Sequence, residues 1–476
     1  MKNTALVGRQ KELTTLQGLL KTDEAELVSV IGRRRVGKTF LVQTAYQSRI
    51  VFEITGIQKA TNKQQLEHFA AALQIYSKSP VPVQTPRNWI DAFRMFILYL
   101  ESAPSTGKKV IFFDELPWLA GHRSGFLEAF GFFWNSWAVK NPVVVVICGS
   151  AASWMIQKVV HNKGGLYNRI TKRIHLRPFT LIETEQYLQK RGIQLDRIQI
   201  AELYMAIGGI PHYLKEIVSG DSTAQQIDRM CFDRDGPLFD EFLQLYPALF
   251  EDAERHIAIV RALAGKTSGV TRTELIAQTG LSNGGGLTKA LEELAYSGFI
   301  GEYKPFGKMK RETIYRLIDE YSLFYVRFIE SFQKEGAGTW QSFQGTPTWQ
   351  AWSGYAFESI CLKHLPQLKN ALGISGVFTT SSSFYHRGAE SLPGCQIDLV
   401  IDRDDRVINL FEIKWTTGEY ILTKNYAAEL RQKITLFKHY TDTKKQVFLT
   451  MIAPFGLLKN EHSVVGKVLV LDDLFD

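Results

Sequence analysis

The segment Gly32–Thr39 constrains the fold of this chain more than any other part of the sequence. It fits the pattern G-x-x-x-x-G-K-S/T, with the apolar run Leu27–Ile31 before it and the helical pattern Thr39–Tyr46 after it. Glycines let such a loop wrap an anion with backbone N–H groups, and the following helix presents the positive end of its dipole. We therefore predict a strand, a phosphate-binding loop and a helix.

The side chains of this loop predict binding of a nucleoside triphosphate together with a metal ion. Lys38 is expected to reach the β- and γ-phosphates, and the Thr39 hydroxyl is expected to ligate Mg²⁺. ATP and Mg²⁺ are therefore the predicted cofactors. The predicted nucleotide contacts in this region are Gly32, Arg33, Arg34, Arg35, Val36, Gly37, Lys38, Thr39 and Phe40.

Two acidic residues, Asp114 and Glu115, follow the apolar run Val110–Phe113. Ligands of open α/β sheets bind at the carboxyl ends of the strands, where these acids would lie. Asp114 is predicted to hold Mg²⁺, directly or through water, and Glu115 is predicted to polarise the attacking water as a general base. The alternative is a strand that simply ends in solvated acids.

A third apolar run, Val143–Cys148, ends in Gly149 and Ser150. Ser150 would contact the γ-phosphate or the attacking water, or else cap a helix. Nearly continuous apolar strands that alternate with helical segments are typical of a parallel sheet covered on both faces. The predicted fold of this region is therefore an α/β, P-loop parallel sheet.

These three elements, in this order, resemble the AAA+ and STAND branch of P-loop ATPases. Gly8–Leu13 is similar to the G-R-x-x-E-L box of that branch, which lies near the adenine. Gly208–Pro211 resembles the G-x-P motif of STAND helical subdomains, whose proline approaches the base. The resemblance implies that Gly8, Arg9 and Pro211 contact the nucleotide.

The segment Leu166–Arg169 resembles an L-Y-G-R segment of archaeal-type members, with Asn168 where glycine is usual. Arg169 lies about where AAA+ proteins place an arginine finger, although a surface arginine in a loop is the default alternative. The best overall match is the family of archaeal-type ATPases with a C-terminal domain of unknown function. That match covers essentially the whole chain.

The middle of the chain has the pattern of a winged helix-turn-helix. A capping box, Thr271–Glu274, begins one helix, and two short strands follow at Phe299-Ile300 and Ile314-Tyr315. The wing tip, Lys304–Arg311, has four basic residues and no acid, which suits contacts to phosphates.

The expected recognition helix begins with glycines, Gly284–Gly286, which cannot read base edges. Only Asn283, Thr288 and Lys289 could do so, which predicts poor sequence-specific readout. Contact with DNA and a purely scaffolding role therefore both remain open for this module.

The C-terminal part has acidic residues inside apolar strands. Asp398 lies within Gln396–Ile401, and Glu412 and Lys414 share one face of the strand Val407–Lys414. Asp398 and Glu412 would bind Mg²⁺ or Mn²⁺ through oxygen, and Lys414 would orient a water and stabilise phosphate charge. Alternatively, the acids are paired to Lys414.

This arrangement resembles the PD-(D/E)xK nuclease family. The resemblance implies that Glu358 supplies a helix glutamate to the metal site, and that Gln432 and Lys433 of the downstream helix lie where related nucleases often keep a polar residue. No proline precedes Asp398, which departs from the family pattern. A restriction-endonuclease-like α/β domain is expected, either active on DNA or catalytically dead.

The chain of 476 residues is long enough for about three domains. We predict an ATPase core, a helical subdomain, a winged helix-turn-helix, a linker and a nuclease-like domain. Their predicted ranges are 1–178, 179–250, 251–320, 321–348 and 349–476.

The net charge of +8 is weakly consistent with a polyanionic partner, but equally with solubility alone. No signal peptide or membrane span is expected, and four scattered cysteines predict reduced thiols in a cytoplasmic protein. We expect an ATP-controlled nuclease acting on DNA or, alternatively, a nucleotide-driven switch that binds DNA or protein. A protein partner or homo-oligomer is possible, whereas a ring-forming motor is less favoured because no clear arginine finger is evident.

Overall fold

The computed structural model describes residues 6–160, 165–266, 268–307, 312–388 and 393–476. The chain forms two compact units, one up to Arg177 and one from Pro178 onward. Within the described ranges, no helix is both long enough and apolar enough to cross a membrane.

The first unit contains a five-stranded sheet in which every neighbouring pair is parallel. The strand order is β2-β3-β4-β1-β5, and the central strands β1 and β4 are buried along their whole length. This confirms the predicted parallel α/β sheet. The strands are β1 (Glu26–Ile31), β2 (Ile50–Thr55), β3 (Lys109–Asp114), β4 (Val143–Gly149) and β5 (Lys172–His175).

Helices connect these strands, and aromatic side chains fill the space between them and the sheet. Phe93 and Phe133 stack with ring centroids 5.2 Å apart, and Phe113 of β3 lies 5.5 Å from Phe130. Burial of such rings stabilises the strands whose ends form the site. The helices are Gln10–Leu19, Lys38–Tyr46, Asn62–Ser77, Trp89–Ser102, Leu116–Leu119, Phe126–Ser136 and Ala152–Trp154, with short 3-10 or π turns at Gln47–Arg49, Ala138–Lys140 and Met155–Val160.

The second unit begins with helices and continues into a winged helix-turn-helix. Three antiparallel strands, in the order β6-β8-β7, follow the helical part. The capping box at Thr271 and Glu274 is present. The helices are Leu181–Lys190, Arg197–Ile207, Pro211–Leu214, Thr223–Cys231, Glu241–Leu249, Ala253–Gly265, Arg272–Thr279 and Gly285–Tyr296; the strands are β6 (Val270–Thr271), β7 (Ile300–Tyr303) and β8 (Ile314–Leu317).

The segment predicted as a linker, 321–348, contains helices whose aromatic side chains are buried. Trp340 is 1% exposed and lies 4.8 Å from Phe324 between ring centroids. The buried Asp228 carboxylate accepts hydrogen bonds from the Trp340 N–H at 2.8 Å and from the Gly338 N–H. These contacts join the segment to the helical part. Its elements are Glu320–Phe324, Tyr325–Ile329, Glu330–Phe332 and Thr339–Phe343.

A second five-stranded sheet forms the separate C-terminal domain, in the order β13-β12-β11-β10-β9. Strands β9, β10 and β11 are antiparallel neighbours, whereas β11, β12 and β13 run parallel. The parallel step needs a crossover, which the helix Lys424–Thr441 supplies. The strands are β9 (Thr379–His386), β10 (Cys395–Arg403), β11 (Val407–Ile413), β12 (Gln446–Ile452) and β13 (Lys467–Leu469); the remaining helices are Pro347–Lys363, Leu365–Ala371 and the 3-10 turn Leu471–Leu474.

The wing contacts the edge of this C-terminal sheet. The Phe306 N–H donates a hydrogen bond to the Ser383 carbonyl of β9 at 2.6 Å, and Pro305 forms a β-bridge with Ser383. The Phe306 ring lies 5.2 Å from that of Phe437. The wing thus covers part of an edge strand that would otherwise offer unpaired backbone groups. Of the predicted basic wing tip, residues 308–311 lie outside the described residues.

The buried His364 connects the end of the helix Pro347–Lys363 to the helical part. Its Nδ1 lies 2.8 Å from the Ile360 carbonyl, and its Nε2 lies 3.1 Å from the Leu181 N–H. Only a neutral ring can donate to the first group and accept from the second. Burial lowers the pKa of His364 to about 4.

We expect the free energy of unfolding to fall as the pH drops from 6.5 toward 4, by up to about 3 kcal/mol from this residue. In that window the unfolded chain binds a proton at His364 that the folded chain excludes. His364→Gln should lack this component, which denaturant titrations at pH 7 and pH 5 would measure. His439→Gln, at an exposed site in the same unit, is the control. Equal pH dependence in all three proteins would contradict the assignment.

Candidate functional site

The loop between β1 and the helix Lys38–Tyr46 is closely fitted to its surroundings. A Cβ on Gly32 would lie 2.3 Å from the Leu176 carbonyl oxygen, and Gly37 has a φ of 92°. Glycine is therefore required sterically at the first position and conformationally at the second. This explains both glycines of the motif.

The Lys38 ammonium lies across this loop. Its Nζ donates hydrogen bonds to the carbonyl oxygens of Gly32 at 2.8 Å and Arg33 at 3.0 Å, and the residue is 5% exposed. Phosphate oxygens are charged acceptors and form stronger hydrogen bonds with an ammonium than neutral carbonyls do. A phosphate bound in this loop would therefore compete with these carbonyls for the ammonium.

Thr39 and Asp114 meet at the carboxyl end of β3. The Thr39 hydroxyl donates to Asp114 Oδ2 at 2.6 Å, and the Glu115 N–H donates to Asp114 Oδ1 at 3.0 Å. A hydroxyl and a carboxylate are ligands that Mg²⁺ accepts, with water and phosphate oxygens completing its octahedron. In the described part of the chain no three His, Cys, Asp or Glu side chains form a metal-binding group, so an ion here would depend on those other oxygens.

Glu115 is held by the end of the neighbouring strand β4. Its Oε2 accepts hydrogen bonds from the Ser150 N–H at 3.0 Å and the Ser150 hydroxyl at 2.9 Å. Glu115 has a positive φ of 46°, and a Cβ on Gly56 would lie 2.7 Å from its carbonyl oxygen. Because the Ser150 hydroxyl donates to Glu115, the first of its two predicted alternatives changes: it contacts a carboxylate in this structure. It does not cap the helix Ala152–Trp154.

The other predicted nucleotide contacts are distributed more widely. Arg9 is buried and donates to the Arg177 carbonyl at 2.5 Å, whereas Phe40 is 44% exposed. Pro211 begins the helix Pro211–Leu214 in the second unit. Besides the bonds of Lys38 within the loop, hydrogen bonds among the predicted site residues join Thr39 to Asp114 and join Glu115 to Asp114 and Ser150. Arg33 and Val36 are buried in the loop.

Residues 6–217 match a family described as an ATPase domain predominantly from Archaea. The chain therefore contains an ATPase domain. It binds and hydrolyses ATP, which agrees with the motif and with the geometry at Lys38, Thr39 and Asp114.

Similarity to other proteins continues beyond the ATPase domain. An uncharacterized protein of Methanocaldococcus jannaschii is 24% identical over 415 residues, which cover 86% of this chain and 87% of the relative. The Walker-type ATPase PABY2304 of Pyrococcus abyssi has a similar fold, with a TM-score of 0.51, 18% identity, and coverage of 68% of this chain and 96% of that one. The ORC2 protein of Aeropyrum pernix aligns with a TM-score of 0.41 at 14% identity, covering 70% of this chain and 95% of its own. Residues 325–430 match archaeal and bacterial proteins of unknown function.

The predicted acids of the C-terminal sheet lie at the same end of two paired strands. Leu399 of β10 pairs with Phe411 of β11, and the two strands are antiparallel. Asp398 precedes Leu399 and Glu412 follows Phe411, so the two acids lie side by side. Glu412 is 6% exposed; its Oε1 lies 3.0 Å from Lys414 Nζ, and its Oε2 lies 2.7 Å from Lys433 Nζ. The Tyr426 hydroxyl also donates to Glu412. Burial raises the pKa of Glu412, but Lys433 and Lys414 more than offset this and hold it below its ordinary value.

Glu358, on the helix Pro347–Lys363, forms an ion pair with Arg316 of β8 at 2.5 Å. Burial raises its pKa to about 7; Arg316 opposes this shift, while the charges of Asp398 and Glu412 add to it. The three predicted acids are therefore close enough to interact electrostatically. As placed, they do not form a metal-binding group within the described ranges.

Two residues that bind the acids of this site, Tyr426 and Arg316, are not predicted from the sequence. Tyr426 lies 14 positions after Glu412, near the start of a helix, and no motif marks it. Arg316 lies in a wing strand, 42 positions before Glu358, and only the folded arrangement brings the two together. An apolar strand interrupted by one arginine was the available signal for Arg316, and it indicates burial against an acid.

Proposed function

We propose that the ATPase domain uses Lys38, Thr39, Asp114 and Glu115 in distinct roles. Lys38 binds the β- and γ-phosphates, and Thr39 and Asp114 hold Mg²⁺. The ion supplies positive charge to the phosphates when it is bound. The observation that supports this most directly is the 2.6 Å contact between the Thr39 hydroxyl and Asp114 at the mouth of the loop.

In this proposal Glu115 accepts the proton of the attacking water, and Ser150 positions its carboxylate. Both Ser150 donors bind the same oxygen, Oε2, so the other oxygen can bind water. Gly8, Arg9 and Pro211 are proposed to contact the base, by resemblance to the AAA+ and STAND branch.

The four cysteines are all unpaired, which supports a reducing, cytoplasmic environment.

We further propose that ATP turnover controls a metal-dependent nuclease in the C-terminal domain, acting on DNA. The order of the sheet and the clustering of Asp398, Glu412, Lys414 and Glu358 support this. The carboxylates suit Mg²⁺ or Mn²⁺, and Lys414 would stabilise the charge on the scissile phosphate. DNA would be held by this domain together with the winged helix.

Glu412→Ala is expected to abolish nicking of supercoiled DNA by the purified protein with Mn²⁺ and ATP, a loss of at least about 10²-fold. It removes the carboxylate that lies between the two lysines and beside Asp398. ATP hydrolysis, measured in the same samples, should be retained. Glu429→Ala, on the helix that bears Lys433, is the matched control. Nicking that persists in Glu412→Ala would refute the site.

A second candidate is a nucleotide-driven switch that binds DNA or a protein, with an inactive nuclease fold. One observation favours it: Glu358 and Glu412 are already neutralised by protein cations. Weak readout of DNA bases by the winged helix also fits this candidate. Two of its candidate base-reading residues, Asn283 and Thr288, accept hydrogen bonds from Arg272, each at 3.0 Å. Intact ATP hydrolysis without nicking under any metal condition would favour the switch. A protein partner or a homo-oligomer is compatible with either candidate.

A further inference from the structure

The Arg316 guanidinium is built into the acidic site from a different module. Arg316 belongs to β8 of the winged helix, whereas Glu358 belongs to the helix that packs on the C-terminal sheet. The two side chains are 5% and 14% exposed, and their atoms are 2.5 Å apart. The guanidinium also lies over the rings of Tyr303 and Tyr355, at 5.7 Å and 5.4 Å. It is therefore fixed in place on several sides.

A second ion pair holds the same segment against the same helix. Glu320, four residues after Arg316, is 4% exposed and binds Lys363 at 2.6 Å. Between them, the Tyr355 hydroxyl donates to the Leu317 carbonyl at 3.2 Å. A Cβ on Gly208 would lie 2.8 Å from Glu320 Oε2, so the same carboxylate also borders the Gly208–Pro211 loop. Movement of that loop would thus reach the segment that bears Arg316.

With Asp398 counted as the third carboxylate, three cations balance three carboxylates at the site without any metal ion. Arg316 faces Glu358, and Lys414 and Lys433 face Glu412. A divalent cation that approached Glu358 would meet a buried positive charge at close range, and like charges in a poorly solvated site repel strongly. Binding of the ion through Glu358 therefore requires that Arg316 give up its ion pair.

We propose that Arg316 is an internal counter-ion that keeps the C-terminal acidic site closed to divalent metal. When the segment Arg316–Glu320 packs on the helix Pro347–Lys363, the Glu358 carboxylate is paired with Arg316 and the site cannot bind the ion. Displacement of the segment frees Glu358 for the ion. This inference rests on the proposed nuclease function and specifies how that site is regulated. Arg316 is thus a regulatory residue and takes no part in the cleavage chemistry.

The test measures the affinity of the full chain for Mn²⁺ by titration calorimetry, in the absence of nucleotide. Arg316→Met keeps much of the side-chain length but removes the charge, and it should bind Mn²⁺ at least about fivefold more tightly than the wild type. Adding Glu358→Gln to Arg316→Met should cancel the gain. Arg316→Lys retains the charge and should stay near the wild type. Cleavage of DNA without ATP should rise in parallel with Mn²⁺ affinity.

Arg261→Met is the matched control, because Arg261 and Glu330 form a pair of the same length, 2.5 Å, that is largely exposed. It should leave Mn²⁺ binding unchanged. Glu320→Gln weakens the second ion pair without touching Arg316, so it should give a smaller gain if Arg316→Met fails to fold.

Two results would overturn the inference in distinguishable ways. Glu412-dependent Mn²⁺ binding that is unchanged or weaker in Arg316→Met and in Glu320→Gln would refute the role of Arg316 and leave the proposed nuclease site standing. No Glu412-dependent Mn²⁺ binding in any of these proteins would refute the metal site itself, and the role of Arg316 with it.

Discussion

Lys38→Ala is expected to reduce ATP hydrolysis by about 10²- to 10³-fold, because it removes the ammonium that we propose binds the phosphates. In the structure that ammonium donates hydrogen bonds to the Gly32 and Arg33 carbonyls of the loop, so its loss should leave the fold largely intact. The measurement is steady-state release of inorganic phosphate with Mg²⁺ and ATP. Binding of a fluorescent ATP analogue should weaken in the same variant.

Lys108→Ala is the control for this substitution. Lys108 is also a buried lysine, 7% exposed, and it donates to the Leu19 carbonyl at 3.0 Å and to the Thr22 hydroxyl at 2.6 Å. Its removal should lower thermal stability yet spare most of the turnover of the folded protein. If Lys38→Ala hydrolysed ATP at the wild-type rate, Lys38 would not bind the phosphates and the proposed site would be wrong.

Glu115→Gln is expected to abolish turnover while leaving ATP binding nearly unchanged, with a loss of about 10²- to 10⁴-fold in rate. The amide preserves the size of the side chain and can still accept from Ser150, but it cannot take a proton from water. A single-turnover assay with bound ATP separates this chemical step from binding. Ser150→Ala should give a smaller loss in the same direction, since it removes one of the two donors to Glu115.

Glu53→Gln provides a comparison at a nearby strand. Glu53 lies on β2 and accepts a hydrogen bond from Gln43 at 2.8 Å, so its replacement tests loss of a carboxylate in the same sheet. Turnover should remain close to the wild type. A similar loss in both variants would indicate that the general electrostatics of the sheet, and not proton transfer to Glu115, set the rate.

The sequence predicted most of the first unit because its signals are local. A glycine-rich loop between an apolar strand and a helix has few structural solutions, and runs such as Val143–Cys148 have the composition of a buried parallel strand. The parallel sheet is confirmed. Asp114 and Glu115 were placed at its carboxyl edge by the same reasoning, and the structure shows Thr39 and Ser150 as their partners.

The second unit was less predictable because its decisive contacts are not local. The aromatic side chains in 321–348 lack a clear period, and only packing shows that Trp340 is 1% exposed. Likewise, the E-x-K pattern at Glu412 indicated a neighbouring lysine, whereas Lys433 and Tyr426 reach the same carboxylate from a helix on another part of the chain. Arg316 is the extreme case, since its acidic partner lies in a different module.

The wing that bridges to Ser383 also limits how this chain can be divided. Its Phe306 ring packs beside Phe437 in the core of the C-terminal domain, and its strand β8 supplies the counter-charge of Glu358. Expression of residues 349–476 alone would uncover a sheet edge and leave a buried carboxylate without its partner, both of which promote aggregation or unfolding. A stable fragment that retains the C-terminal sheet should therefore also include the winged helix.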